Sequence, residues 1–362
     1  MSVKEIAVHS FRNHDQARLK FGPGVNVIWG GNGSGKTSIL EAIYLLAYGR
    51  SFRTRRLLET LQIGREQMNI TGIFEQGKEQ NQIQLNQLHD GRKRFILNEK
   101  PISGARELIG LNPVVVLSPE EQIITKGAPG NRRSYFDQVF SVVSKAYVDT
   151  LVSYTRTLKQ RNAALVRVAT DNAPVSMITA WDDTLAKNGN KIWRERIQYI
   201  NEFSGLLQKV AHDFTIGDVK LCLQHTPDTA LTIDEHKKIL GQSLKNDIRR
   251  GYTGSGPHRD IYEIGFNGED LRKFGSQGEH KITMVLIKMA EARFIRKHTG
   301  KGPTIILDDL FAKLDFQRSD QVLSALGKDL QTIITATDII DLEKKGVNPS
   351  GSNDTSYHLG LN

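Results

Sequence analysis

Eight residues constrain this chain more than all the others. Gly30-Gly31-Asn32-Gly33-Ser34-Gly35-Lys36-Thr37 fits G-x-x-x-x-G-K-[ST] in full. An apolar run, Val25–Trp29, precedes it. Residues 37–48 follow with Ile39, Ala42, Ile43, Leu46 and Ala47 at helical spacing. The pattern predicts strand, glycine turn, helix. Glycines let successive backbone N–H groups converge on phosphate oxygens, and the helix N-terminus adds its partial positive charge. In that arrangement Lys36 reaches the β- and γ-phosphates of ATP, and the Thr37 hydroxyl ligates Mg²⁺.

Such a loop needs an acid at the end of a second strand. Thr304-Ile305-Ile306-Leu307-Asp308-Asp309 supplies two: Asp308 to hold Mg²⁺ and Asp309 to polarise an attacking water. Lys36 and Asp308 lie 272 positions apart, far more than a compact P-loop domain uses, so an insertion must interrupt the fold. The middle of the chain shows where. The first third reads as β-rich, with alternating segments near 3–8, 68–74, 82–88 and 94–97, and a buried-type strand at 112–117. From about 131 to 213 there is no strand signal. Val148, Leu151, Thr155, Leu158, Asn162, Leu165 and Ala169 recur at spacings of three and four, the seam of a short coiled coil. Two readings fit: a projecting helical hairpin arm or a compact helical subdomain. The last third returns to α/β, with strands at 261–266, 303–309 and 330–337, helices at 276–298 and 318–326, and a polar, loose tail. The expected organisation is a head from 1–130 and 216–362 around an inserted helical segment at 131–215.

Composition narrows the class. No apolar run is long enough to span a membrane, no leader-like segment opens the chain, and one cysteine, Cys222, leaves no internal disulfide or multi-cysteine metal cluster. The expectation is a cytosolic protein without a membrane partner. Lys+Arg 49 against Asp+Glu 40 gives +9, a surplus that permits a polyanionic partner without requiring one.

Residues 273–281, KFGSQGEHK, open the helix before the acid strand. They resemble, loosely, the LSGGQ signature of ATP-binding-cassette proteins, with Gly275, Gln277 and Glu279 at the departing positions. The resemblance implies that Ser276 and Gly278 of one subunit bind the γ-phosphate held by the P-loop of another. Ser-x-Gly-Glu is equally an ordinary capping box. Asp315, in Ala312-Lys313-Leu314-Asp315, resembles the D-loop aspartate. Phe11-Arg12-Asn13, Gly49 to Thr54, Leu117-Ser118-Pro119-Glu120, Lys126-Gly127-Ala128-Pro129 with Arg132-Arg133, Leu158 to Leu165 and Gly256-Pro257-His258-Arg259-Asp260 complete a set running in order along the chain. Together they resemble the RecF family of bacterial gap-repair ATPases, relatives of the SMC-type heads. The resemblance implies an α/β cassette-type head, a β-rich lobe plus an α/β lobe, interrupted by a helical or coiled-coil arm. It also implies ATP-driven homodimerisation and slow, DNA-stimulated hydrolysis. The DNA would be double-stranded or a single/double-strand junction, at gaps and stalled replication forks. RecO and RecR would be the protein partners in loading recombinase.

Arg12 and Asn13 are expected near the nucleotide. Arg50, Arg53, Arg55 and Arg56 form an acid-free basic turn suited to nucleotide or DNA phosphates, and Lys159 and Arg161, with Lys145, Arg156 and Arg167, suit a DNA backbone. Gln122 is a candidate phosphate sensor, and His258 and Arg259 face phosphate or form a structural turn. Thr335 and Thr337 stand where a transporter ATPase has its switch histidine. Two other functions compete: a membrane transporter's ATPase subunit, against which the inserted segment and absent histidine speak, and a clamp that binds ATP without turnover.

Overall fold

The computed structural model describes residues 2–77, 79–171, 173–214, 219–309, 330–343, 351 and 353–360. Two compact units share the chain: one takes 1–122, 210–217 and 281–362, the other 123–209 and 218–280. The second unit thus takes in residues 218–280, which lie in the stretch expected to belong to the head.

The first unit is built on two sheets. One is antiparallel, in the order β2 (His14–Lys20), β1 (Ser2–Phe11), β4 (Gln67–Gln76), β5 (Glu79–Leu88), β6 (Lys93–Leu97), β7 (Lys100–Ile102). The other is parallel: β14 (Thr355–His358), β3 (Val25–Trp29), β13 (Thr332–Ala336), β12 (Thr304–Leu307), β8 (Val114–Leu117). β8, β12 and β13 are buried along their whole length, as strands covered on both faces must be, and are accordingly mostly apolar, broken only by Thr304, Thr332 and Thr335. Helix α1 (Lys36–Tyr48) touches β1, β4 and β5 of one sheet and β13 of the other. That double burial explains why it is apolar nearly all round rather than on one stripe. Gln331, buried, ties the sheets together: its amide donates to the carbonyls of Val3 at 2.8 Å and Gly22 at 2.7 Å and accepts from Val3 N–H at 2.7 Å.

The polar tail is not loose where it is described. β14 pairs in parallel with β3, and Asp354 accepts the Val25 N–H at 2.8 Å. Four residues, Thr-Ser-Tyr-His, are too short and too polar for a periodicity signal, and their strand character comes from the partner. The expected helix at 318–326 and Asp315 lie outside the described residues.

In the second unit the helices are α2 (Ile123–Lys126), α3 (Pro129–Val143), α4 (Lys145–Asp171), α5 (Ser176–Thr179), α6 (Asp182–Phe214, whose last turn belongs to the first unit) and α7 (Ile233–Arg250). They accompany a three-stranded sheet, β11 (Glu269–Asp270), β10 (Ile261–Phe266), β9 (Leu221–Thr226). The insertion is helical as expected, but the buried face of α4 is rotated from the expected seam. Tyr147, Val148, Leu151, Tyr154, Leu158, Arg161, Leu165 and Val168 turn inward, while Thr155 and Ala169 are exposed. Ala164 and Leu165 pack with Ile178 of α5 and Leu244 and Ile248 of α7. After α8 (Leu271–Phe274), α9 (Gln277–Thr299) leads back to β12. Among the described residues no helix is long and apolar enough to cross a membrane.

Candidate nucleotide site

The three central parallel strands β3, β13 and β12 end side by side, and a functional group leaves each at its carboxyl end, where open α/β sheets place ligands. From β3 comes the glycine loop. Gly30, Gly33 and Gly35 hold φ of 152°, 85° and 91°, a backbone that L side chains resist. A Cβ on Gly35 would stand 2.2 Å from His14 Nε2, so this glycine is needed for space as well. Asn13 donates to the Gly33 carbonyl at 2.8 Å and His14 Nε2 lies 3.0 Å from the Gly35 carbonyl, so the β1–β2 turn braces the loop. Lys36, at the start of α1, folds its ammonium onto the carbonyls of Gly30 at 2.8 Å and Gly31 at 2.9 Å.

From β12 come the acids. Asp308, 4 % exposed, accepts from the Thr37 hydroxyl at 2.9 Å and from the Thr335 hydroxyl at 2.8 Å. Burial pushes its carboxyl above the ordinary value, against the pull of those two hydrogen bonds; the nearby Asp309 and Glu120 charges push the same way. The next residue turns sharply: Asp309 has φ 46°, its N–H donates to Thr335 Oγ1 at 3.0 Å, and its buried Oδ1 has no protein partner. A non-glycine residue in the left-handed region beside the Asp308 carboxylate is strain held by the surrounding sheet.

Thr335 is the residue whose role sequence reasoning left open. β13 lies between β3 and β12, and its register sets Ile334 beside Leu307, so Thr335 faces the acids. It is fully buried and serves both of them, whereas Thr337 is exposed. His14 and Glu41 were missed. Glu41 lies within the apolar helix pattern four residues after Thr37, and Arg12 chelates it at 2.8 and 2.7 Å.

Arg12, Asn13, Asn32, Gly33, Gly35, Lys36, Thr37, Arg53 and Asp309 share a cleft of about 460 Å³ with Glu59, Leu61 and Ile63. The residues fit a nucleotide. Ser34 Oγ and Asp309 Oδ1 are buried and unpartnered, and nothing stands within 4 Å of a Cβ on Gly31 or Gly33. A hydroxyl and a carboxylate 2.9 Å apart form an all-oxygen donor set, which suits a hard cation such as Mg²⁺.

The other expected residues are placed as follows. Arg50, Arg55 and Arg56 are exposed on the turn after α1. Ser276, Gln277 and Gly278 are exposed at the start of α9, where Ser276 and Glu279 exchange hydrogen bonds at 2.7 and 3.3 Å in a capping box. Gln122 ends the short turn Pro119–Gln122 after β8. His258 is structural: Tyr154 and the Thr253 carbonyl hold its two ring nitrogens at 2.7 and 2.9 Å, and burial lowers its pKa. Arg259 stacks on Tyr252, 4.8 Å from the ring centre. Lys159 is exposed. Arg161 is not available to DNA. Its side chain is completely buried, bonded to Asp182 at 2.8 Å, Asp247 at 2.9 Å and Thr253 at 2.8 Å, so its charge is consumed inside the unit.

Residues 2–346 match the RecF/RecN/SMC N-terminal domain family. The DNA replication and repair protein RecF of Clostridium perfringens is 34 % identical over 346 residues, 94 % of each chain. That of Agathobacter rectalis is 31 % identical, over 95 % of this chain and 94 % of its own. This chain belongs to the RecF family. A solved structure of the recombination mediator protein RecF-ATP in the RecFOR pathway superposes with a TM-score of 0.88 at 31 % identity, covering 93 % of this chain and 92 % of the other. The Smc head domain from Pyrococcus furiosus, at 16 % identity and a TM-score of 0.56, shares the fold. The mixed α/β head fold of the RecF family is therefore that of this chain.

Proposed function

We propose that this RecF-family chain is an ATP-dependent DNA-binding protein of recombinational repair, acting at single-strand gaps and stalled forks together with RecO and RecR. One observation carries the ATPase reading: Thr37 and Asp308, 271 positions apart, meet at 2.9 Å beside the phosphate loop and its lysine. RecF named for DNA replication and repair, and RecF-ATP in the RecFOR pathway, support the repair role and the partners. If the chain works on chromosomal DNA in a bacterium, as the organisms of its relatives suggest, the cytoplasm is where it acts.

The residues divide the chemistry. The glycine loop and Lys36 hold the β- and γ-phosphates; the lysine exchanges its two loop carbonyls for phosphate oxygens, a stronger charge-assisted pairing. Thr37 and Asp308 would hold Mg²⁺, which when bound neutralises charge on the phosphates. Asp309, with Oδ1 unpartnered, orients the attacking water. That carboxylate favours turnover over a non-hydrolysing clamp. Slow hydrolysis stimulated by DNA follows if the chemistry waits for a second copy to supply Ser276 and Gly278 across the nucleotide, in an ATP-dependent homodimer. The Asp315 segment and Gln122 have supporting roles in the same reading.

Sedimentation of the full chain without nucleotide, with ADP and with ATP, each with and without gapped duplex DNA, tests this, alongside phosphate release. A dimer specific to ATP and a rate raised by DNA are expected. A nucleotide-independent monomer with no phosphate release would defeat the proposal.

A further inference from the structure

The P-loop helix carries a buried carboxylate that the chemistry above does not use. Glu41 is fully buried and lies one helical turn beyond Thr37. Arg12 donates to both its oxygens, at 2.8 and 2.7 Å, and sends a third bond to the Glu59 carbonyl at 3.0 Å. Arg53 reaches the same carboxylate with one longer contact of 3.4 Å. The Ser51 hydroxyl also donates to it, while accepting the N–H groups of Arg53 at 2.9 Å and Thr54 at 3.1 Å. One carboxylate therefore gathers two guanidinium groups and fixes the turn at 51–54. Both guanidinium groups line the nucleotide cleft.

The two grips are unequal. Arg12 is chelated and 21 % exposed; Arg53 is held by a single long contact and is 37 % exposed. A phosphate oxygen at ordinary charge-assisted distance, roughly 2.7–2.9 Å, outcompetes a 3.4 Å contact for Arg53 but not the chelate for Arg12. Without Glu41 the two like charges would repel each other, and the turn would lose its anchor on α1. We propose that Glu41 is a positioning residue for the nucleotide. It fixes Arg12 and offers Arg53 as an exchangeable cation to the phosphates, so nucleotide occupancy resets the turn that bears Arg50, Arg55 and Arg56. This rests on the ATP reading of the cleft.

The test uses the full chain with Glu41→Gln, Arg53→Met, the double variant, Ser51→Ala, and Lys36→Ala as a control. ATP affinity is read by displacement of a fluorescent analogue. The state of the turn is read by tryptic cleavage after Arg53, Arg55 and Arg56 with and without ATP. Glu41→Gln should weaken ATP binding about tenfold or more, the loss of one charge-assisted contact network. The double variant should be no weaker than Glu41→Gln alone, because the carboxylate acts through the arginines. ATP should protect the wild-type turn from trypsin, and that protection should vanish in Glu41→Gln and Ser51→Ala. Additive losses, or ATP protection unchanged in either variant, would overturn the proposal. If Glu41→Gln does not fold, Ser51→Ala decides it: wild-type affinity and protection there refute the inference. Wild-type ATP affinity in Lys36→Ala would instead refute the ATP reading itself.

Discussion

Thr335 offers one hydroxyl to two acids with different tasks. It donates to Asp308 and accepts from the backbone of Asp309, the residue held at φ 46°. Thr335→Val keeps the shape and removes both bonds, freeing Asp309 to leave its strained conformation. Hydrolysis should fall by about tenfold or more, as expected when a water-orienting group loses its position, while ATP affinity changes little because Lys36 and the loop are untouched. Steady-state phosphate release beside equilibrium binding checks this; equal losses in both would place Thr335 in binding instead. Asp308 makes a second prediction. Its folded pKa is raised above the ordinary 3.8 by burial. A carboxyl raised on folding contributes stability in full below its unfolded value and loses it as pH climbs through the folded one. Ionising the desolvated Asp308 in the nucleotide-free fold is therefore a cost that grows as pH rises. Asp308→Asn should melt higher than wild type at pH 7 without nucleotide, with the difference shrinking towards pH 4, and should lose Mg²⁺-dependent hydrolysis. A lower melting temperature at pH 7 would contradict the burial argument. The motif residues were legible because their spacing is dictated by phosphate geometry. Thr335 was legible only by its place at the end of a strand, which left it tied with Thr337, and His14 and Glu41 were not legible at all, because each acts on a partner far away in sequence and neither has a spacing of its own.

At the scale of elements, most boundaries were readable where one pattern dominated. Val25–Trp29, the helix after it and Ile261–Phe266 were set by apolar runs and by glycine or Asn-Gly punctuation. α4 shows why the rest was harder. Its expected seam and its buried face share Val148, Leu151, Leu158 and Leu165, with Asn162 half-buried, but the face continues through Tyr154 and Arg161 rather than Thr155 and Ala169. Apolar spacing cannot reveal that a buried position is an arginine, since the acids that neutralise it lie 21 and 86 residues away. The consequence separates two neighbouring cations. Arg161→Ala strands Asp247, itself fully buried, and should cost roughly 3–5 kcal/mol of stability. Lys159→Glu, on the exposed face two residues earlier, should stay within about 0.5 kcal/mol of wild type. Denaturant midpoints of the two variants measure the contrast; equal effects would mean that the Arg161 cluster is not a buried pair.

For the whole molecule, the question is how a chain of modest charge, +9 over 362 residues, holds DNA strongly enough to act on it. Each basic strip is short. α4 presents Lys145, Arg156, Lys159 and Arg167 to solvent, and the turn after α1 presents Arg50, Arg55 and Arg56. A few phosphate contacts give weak binding, each contributing a slope of roughly −0.9 in the logarithm of affinity against salt. Nothing here resembles a base-reading module, so contacts should fall on the backbone and be indifferent to sequence. Two copies joined across ATP would double the contacts and convert the second strip's binding into an intramolecular event. ATP should then tighten duplex binding steeply, and Ser276→Arg should abolish that tightening while leaving ATP bound to the single copy, because its hydroxyl is exposed and serves only its own cap. Lys159→Glu should flatten the salt slope in the ATP state by about two units, one lost contact in each copy. The measurement is DNA affinity across a salt series, with and without ATP, for wild type and both variants. Affinity independent of ATP, or a dimer that survives Ser276→Arg, would mean that DNA is held by the single copy and that Ser276 is a helix cap alone. An unchanged slope in Lys159→Glu would move the DNA off α4 and leave the arginine turn, already tied to the nucleotide through Glu41, as the surface on which DNA and ATP meet.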